Sequence, residues 1–329
     1  MKFTLGPAPH IHDNISTRKI MIDVLIALAP AGILAVLMWG WYMLLIEVGS
    51  MILAEALEFF TMRYMRKKKD FLPDGSAAVT GLLLAMNVPA GISWWMMGIG
   101  VFVAIMIGKE VFGGIGSNPF NPALVGRIFM YISFPAAMTA WPKVNWFHFS
   151  QSAFSLQTTA TPLGVIKMHG MAEANSVFPH LMQNAFFGNI PGSAGEMSAL
   201  ALIAGFLYLW WKGIVSYEIP IAYIGTTFGI SAIYWFINPS AYPDPTTAIL
   251  IGGVMLGALF MATDPVTSPI TSKGKWIFGL GCGVITVLIR YVGSYPEGVN
   301  FAILLMNSLV PFIDQISRPK VFGEVRKNG

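Results

Sequence analysis

Three features of the sequence predict an all-α integral membrane protein. Of the 329 residues, 55% are hydrophobic and 11% are charged, whereas a soluble domain carries about 25% charged residues. Mean hydropathy is +0.64. The apolar residues also fall into long runs, most near the roughly 20 residues that a helix needs to cross hydrocarbon. Ten runs can be marked, at about 20–40, 42–62, 75–89, 93–112, 122–140, 196–212, 219–237, 247–263, 276–292 and 299–317. A chain this long could bury a large core, but so few charges would not cover its surface in water. An ordinary soluble enzyme is therefore excluded.

The first run follows a polar tail, "MKFTLGPAPHIHDNISTRK" (1–19). It has no short apolar region ahead of a cleavage site, so the first helix is expected to insert uncleaved. His10 and His12 belong to this solvated tail. The second run carries Glu47, Glu55 and Glu58. Interfacial placement and the lining of an ion path are both open readings of these glutamates. Lys109 and Glu110 mark a membrane edge after the fourth run.

The third and eighth runs are short or interrupted. The third breaks at "NVPAG", with Asn87 and Pro89, and the eighth ends in "ATDPVTSP", with Asp264, Pro265, Thr267 and Pro269. Proline removes a helix donor and frees a carbonyl. Simple termination at a Pro turn explains both. Asp264 adds a charge whose deep placement would cost about 2.5–3.5 kcal/mol, so it needs a partner or an interfacial position.

The fifth run opens with "GGIGSNPFNPALVGR" (113–127). Its two Asn-Pro pairs fit an N-cap followed by Pro at the first helical position. Asn118 and Asn121 offer donors and acceptors, Phe120 offers a stacking face, and Gly113, Gly114 and Gly116 let a planar ligand approach the backbone. Beside a well-capped helix start, the segment reads as a flat, polar-edged ligand site on the cytoplasmic side.

Orientation follows from Lys and Arg. With the N-terminus cytoplasmic, the outside holds only Lys143, Lys167 and Arg290 of the 20 basic residues. Arg127 is counted among the inside charges. The net charge of +4 and pI of 9.1 then reflect cytoplasmic loops and not nucleic-acid binding. The segment 141–195 lies outside and is the only long non-membrane stretch. Five runs precede it and five follow. "PDGSAAVTGLLLAMNVP" (73–89) resembles "PDPTTAILIGGVMLGALFMATDP" (243–265), and "GSNPFNPA" (116–123) resembles "GSYPEGVNFA" (293–302). An odd number of runs per copy inverts the second, as in inverted-topology repeats. The organisation is a cytoplasmic tail (1–19), a first repeat (20–140), an external loop (141–195), a second repeat (196–317) and a cytoplasmic C-terminal tail (318–329).

Redox metal chemistry has few candidates. The one cysteine, Cys282 in "GLGCGVITVL", can form no internal disulfide and cannot hold an iron–sulfur cluster alone. It reads as a small buried residue. The five histidines do not pair at helical spacing within a run, which argues against a bis-His haem.

The external segment contains "QTTATPLGVIKMHG" (157–170). Pro162 biases Thr161 away from helix, and nothing nearby supplies a base for a Thr nucleophile. Local chemistry gives an ordered external loop with exposed hydroxyls. A channel or transporter for a small polar solute suits the inverted repeats and broken helices equally well.

Across essentially its whole length the chain resembles the D-type member of the Rnf electron-transport complex, RnfD, itself similar to the B-type member of the sodium-pumping NADH:quinone reductase. The motifs that carry this are "SNPFNPALVGR", "TTATPLG" and "MATDPVTSP". The resemblance implies a urea-transporter-like fold. It implies FMN joined through its phosphate to Thr161, within the pattern Thr158, Thr159, Ala160, Thr161, Pro162, Leu163, by a flavin transferase acting outside the membrane. Ser155 stands where that pattern commonly has Asp, and Thr159 where Gly is common. The resemblance also implies a noncovalent riboflavin toward the cytoplasm, walled by the segments holding Asn118, Phe120, Asn121, Asp264 and Thr267. The implied function is an electron relay in a ferredoxin:NAD(+) oxidoreductase that moves Na+ or H+ across the inner membrane. Its partners would be the other Rnf proteins, RnfA, RnfB, RnfC, RnfE and RnfG, especially the FMN-bearing RnfG. A B-type member of the quinone reductase is the related alternative, but that protein has a longer N-terminal extension.

Overall fold

The computed structural model describes residues 16–68, 71–144 and 158–319. His10, His12, His148 and Ser155 lie outside the described residues, as do most of both tails. Helix dominates. Helix α1 (Thr17–Trp39) begins at Ser16, whose hydroxyl accepts from the Lys19 amide, and stops at Gly40 with φ of 77°. Helix α2 (Trp41–Phe60) continues through a π-helical turn, Thr61–Met65. Helix α3 is only Ser76–Ala85. Its orphan amides are taken by acids: Asp74 Oδ1 accepts from Ser76 N at 2.9 Å and Glu55 Oε1 accepts from Ala78 N at 3.1 Å, as helix N-termini favour.

Helix α4 (Trp94–Phe102) runs into a π turn, Val103–Ile107, and a 3-10 turn, Glu110–Phe112. Helices α5 (Pro122–Ser133) and α6 (Pro135–Met138) complete the first half. The segment expected to be an external loop is not a simple loop. A two-residue pair, β1 (Trp141–Pro142) with β2 (Thr158–Thr159), leads into α7 (Pro162–His169), α8 (Met171–Val177) and α9 (Leu181–Phe187). The second half holds α10 (Ala199–Trp211), α11 (Glu218–Ile237), α12 (Pro245–Leu250), α13 (Val254–Leu256) with its π turn Gly257–Met261, α14 (Ser272–Tyr291) and α15 (Val299–Ser317).

Every one of the ten apolar runs contains helix, but they differ in reach. Among the described residues, five stretches are long and apolar enough to cross a membrane: Thr17–Trp39, Trp94–Phe112, Glu218–Ile237, Ser272–Tyr291 and Val299–Ser317. Helix α2 has the length but carries three glutamates, while α3, α5 and α10 are short apolar helices. The eighth run breaks within itself at Ile251–Gly253, where Gly252 has φ of 71°, a left-handed turn that Gly adopts readily.

The helices pack through small residues. A Cβ on Gly205 of α10 would overlap Ala27 O of α1, so these two backbones touch only because Gly is there. Exposed apolar side chains such as Ile33, Ile52, Ile132 and Ile233 cover the outer surface of the bundle. The result is a helical membrane protein with polar groups held inside.

Candidate functional site

Two polar cavities open among the helices, and α5 reaches both. The inner one encloses about 760 Å³ and is lined by Asn118, Asn121, Ser76, Lys109 and Asp264, with apolar walls from α1, α3 and α10. Asn121 is the N-cap of α5: Oδ1 accepts from Ala123 N at 3.1 Å, and Nδ2 donates across the bundle to Met261 O at 3.2 Å. Asn118 is buried and donates from Nδ2 to Phe120 O, which shapes the Asn-Pro turn. Asp264 is half-buried at the end of the eighth run and accepts from Val266 N at 3.3 Å and Thr267 Oγ1 at 3.0 Å.

Two of the residues expected on this wall stand elsewhere. Phe120 does not line the cavity. It is half-buried in the turn, and the turn uses its carbonyl as the acceptor for Asn118. Thr267 is buried behind Asp264: its hydroxyl holds the carboxylate and its carbonyl accepts from Asn307 Nδ2 at 2.7 Å. It supports the acid and makes no wall. Lys109 and Glu110 lie near the end of the apolar stretch Trp94–Phe112, and both are paired. Lys109 is buried, donating to Glu58 Oε1 at 2.5 Å and Ser76 Oγ at 2.7 Å, and Glu110 is buried 3.4 Å from Arg66. Paired charges of this kind tolerate burial that single ones would not.

The outer cleft, about 530 Å³, is lined by Thr161, Pro162, Leu163, Arg127, Tyr131, Glu196, Gly252 and Glu297. Thr161 has extended φ and ψ, as the following Pro requires, and caps α7 by accepting from Gly164 N at 3.1 Å. Thr158, Thr159 and Ala160 form the approach to it and do not line the cleft. Thr158 is exposed, and Thr159 Oγ1 is buried without a partner among the described residues. Lys167 anchors the far end of α7 by donating to the carbonyls of Arg290, Gly293 and Tyr295 at 3.0, 2.6 and 2.7 Å. Burial pulls its ammonium below the usual lysine range, while the carbonyl acceptors favour the charged form.

Arg127, counted among the inside charges, is buried within the bundle. It sits in the second turn of α5, 4% exposed, on the wall that it shares with Thr161. Asn87 Oδ1 accepts from Nη1, and Asn300, with its amide oxygen turned to the guanidinium, accepts from Nε and Nη1 at 3.1 Å. Glu196 Oε1 is 3.9 Å from Nη2. Arg290 forms the second buried pair, 3.1 Å from Glu297 Oε1, and donates to Ala248 O and Ile251 O beside the Gly252 break. Sequence reading misses Arg127, Glu196 and Glu297. The signal for Arg127 is present, since an ionisable residue inside "NPALVGRIFMY" is costly in a membrane and marks function by default.

Among the described residues no group of three or more His, Cys, Asp or Glu is arranged to hold a metal ion. Cys282 is fully buried in α14. Of the second-run glutamates, Glu47 is buried with Oε1 unpartnered, Glu55 caps α3, and Glu58 pairs with Lys109.

Residues 4–323 match the family model described as NQR2, RnfD, RnfE family. Three relatives, each the D component of its complex, match over nearly their full length. The chain is 41% identical over 327 residues to that component of the proton-translocating ferredoxin:NAD(+) oxidoreductase complex of Clostridium ljungdahlii, covering 98% of this chain and 97% of the relative. It is 39% identical to that of the Na(+)-translocating ferredoxin:NAD(+) oxidoreductase complex of Acetobacterium woodii, covering 98% and 96%. It is 35% identical to that of the ion-translocating oxidoreductase complex of Yersinia enterocolitica, covering 98% and 99%. Similarity runs through both cavities and the helices that build them, and the chain belongs to the NQR2, RnfD, RnfE family.

Proposed function

We propose that the chain is the membrane flavoprotein of an ion-translocating ferredoxin:NAD(+) oxidoreductase complex. Relatives matched over nearly their full length are named as components of such complexes. The observation that carries the flavin assignment is Thr161. Its hydroxyl lies at a cavity wall and uses Oγ1 as an acceptor in the α7 cap. A phosphoester at Oγ1 replaces only the hydroxyl hydrogen, so the cap can survive attachment of FMN. The outer cleft fits such a group in character, with a buried cation, a tyrosine and an apolar floor. The inner cavity would take noncovalent riboflavin, with Asn118, Asn121 and Asp264 as its polar edge.

Bound flavin supplies the one-electron chemistry. The residues of the chain position it: Thr161 tethers, Lys167 and the α7 cap fix the tethered helix, and Asn121 ties α5 to the eighth run. The proposed architecture is ten membrane segments in two inverted five-segment repeats, with both termini cytoplasmic and 141–195 external. In support, each half ends its fourth run with a buried cation folded onto its own third: Lys109 onto Ser76 of α3, and Arg290 onto α12. The chain would pass electrons between flavin on RnfG and its own inner flavin. It would do so within a complex that also holds RnfA, RnfB, RnfC and RnfE and moves Na+ or H+ across the inner membrane. A flavin transferase outside the membrane would load Thr161.

The test is a peptide-mass spectrum of the chain from its native membrane. A mass increment matching FMN on the Thr161 peptide is expected. An unmodified peptide, in cells holding the transferase, would favour a small-solute channel built on the same broken helices.

A further inference from the structure

The outer cleft contains two buried Arg–Glu pairs that are not equivalent. Arg290 turns both terminal nitrogens to protein acceptors, two carbonyls and both oxygens of Glu297, and only its Nε is buried without a partner among the described residues. Arg127 keeps one terminal nitrogen open. Nε and Nη1 go to the amides of Asn87 and Asn300, but Nη2 has no hydrogen-bond acceptor among the described residues, and Glu196 Oε1 at 3.9 Å is beyond hydrogen-bond reach. Nη2 is not among the fully buried unpartnered atoms, so its open donor faces the cleft that Arg127 lines and is available to whatever occupies it. Asn87 and Asn300 hold it from the end of α3 and the start of α15, so it cannot swing away. Ser193 N occupies Glu196 on its other side, at 3.5 Å from Oε2.

We infer that Arg127 is a positioning residue that sets the reduction potential of the group tethered at Thr161, with Glu196 as its opposing charge. This rests on the proposed attachment at Thr161. The charged groups facing the cleft are Arg127, Glu196 and Glu297, with Arg290 behind Glu297. Their formal charges cancel. A group that gains negative charge on reduction is favoured by the cation whose donor is open and opposed by the Glu196 carboxylate beside it. In a cleft with low-dielectric walls such fixed charges act strongly.

The geometry gives opposite signs for the two partners. Arg127→Gln removes the cation and moves the midpoint potential of the covalently bound flavin to more negative values. Glu196→Gln removes the opposing charge and moves it to more positive values. Arg127→Lys keeps the charge without the guanidinium fork and falls between wild type and Arg127→Gln.

The experiment uses the purified complex. Flavin fluorescence of this chain on a denaturing gel is recorded first, then a mediated spectroelectrochemical titration of the labelled chain. Opposite shifts for Arg127→Gln and Glu196→Gln, with label retained, are the expected result. Unchanged potentials, or shifts of the same sign in all three variants, overturn the inference and leave the attachment standing. A wild-type chain without label overturns both. If Arg127→Gln does not assemble, the Glu196→Gln and Arg127→Lys shifts decide, because neither removes the cation from Asn87 and Asn300.

Discussion

Lys109 Nζ lies 2.5 Å from Glu58 Oε1 inside the bundle, with both side chains almost fully buried. The ammonium also reaches Ser76 Oγ, at the N-terminus of the short α3. Removing one partner leaves the other as an uncompensated buried charge. Lys109→Met is expected to destabilise the protein by about 3–5 kcal/mol, and Lys109→Met combined with Glu58→Met to recover much of that loss. Thermal unfolding of the detergent-solubilised protein measures both. Equal stability of the single and double variants would show that the pair is not coupled.

Thr161→Ala and Thr161→Ser separate tether from cap. Both hydroxyl and cap are lost in the alanine variant, which costs about 1 kcal/mol and should abolish covalent flavin while the chain still inserts. The serine variant keeps the acceptor for Gly164 N. Its flavin fluorescence on a denaturing gel should persist, and a fluorescent alanine variant would move the attachment elsewhere.

Asp264→Asn keeps an acceptor for Val266 N and Thr267 Oγ1 but removes the charge from the inner cavity. Noncovalent riboflavin content is expected to fall about tenfold, equivalent to about 1.4 kcal/mol. Acid-extractable riboflavin per complex is the measurement. Unaltered content with unaltered ion-dependent turnover would confine Asp264 to a turn-forming role.

Gly252→Ala should be severe for a local reason. Its φ is 71°, and a Cβ would overlap Glu297 Oε2 and fall 2.8 Å from Arg290 Nη2. The left-handed strain alone costs more than about 1 kcal/mol, and the displaced carboxylate would disturb the tight ion pair. Gly213→Ala, at φ of 70° with open space around it, carries the backbone strain alone. The difference in their melting temperatures reports the cost of crowding Glu297, Leu163 and Arg290, and equal losses would show that cost to be negligible.

Lys167→Met removes the donor that joins α7 to the last carbonyls of α14. Amide exchange in 162–169 should accelerate, with a local loss of about 1–3 kcal/mol, while exchange in α5 stays as it was. A uniform change across the chain would instead indicate global destabilisation.

Much of this fold is legible in residue order because hydrocarbon imposes a coarse rule. Apolar runs of sufficient length become helices, and Pro, Gly and Asn mark where they start or break. Thus Asn121-Pro122 is readable as a cap, and "NVPAG" as an end. The Gly252–Gly253 break within the eighth run is not, since "ILIGGVML" is equally apolar with or without it. The polar network is less legible for a physical reason. The statistics of loops place Arg127 and Lys109 at the water, whereas each is kept inside by partners 33 to 173 residues away in the chain. Thr161 is readable through its motif and neighbouring Pro, but its role as a helix cap depends on α7 forming in a segment that reads as loop. Phe120 is misplaced because an Asn-Pro turn fixes the backbone without fixing which way the next ring faces.

Helix α5 is the wall between the two compartments, and it is thin. From Asn121 on the inner cavity to Arg127 on the outer cleft is six residues, a rise of about 9 Å, against roughly 30 Å for the hydrocarbon of a bilayer. In the proposed topology, which puts the two cavities on opposite sides, the membrane voltage would fall mainly across this short layer instead of evenly through the protein. The layer holds Asn87, Arg127 and Asn300 and works like the gap of a capacitor. A charge crossing only that gap experiences most of the roughly 2.3 kcal/mol per 100 mV that full passage involves.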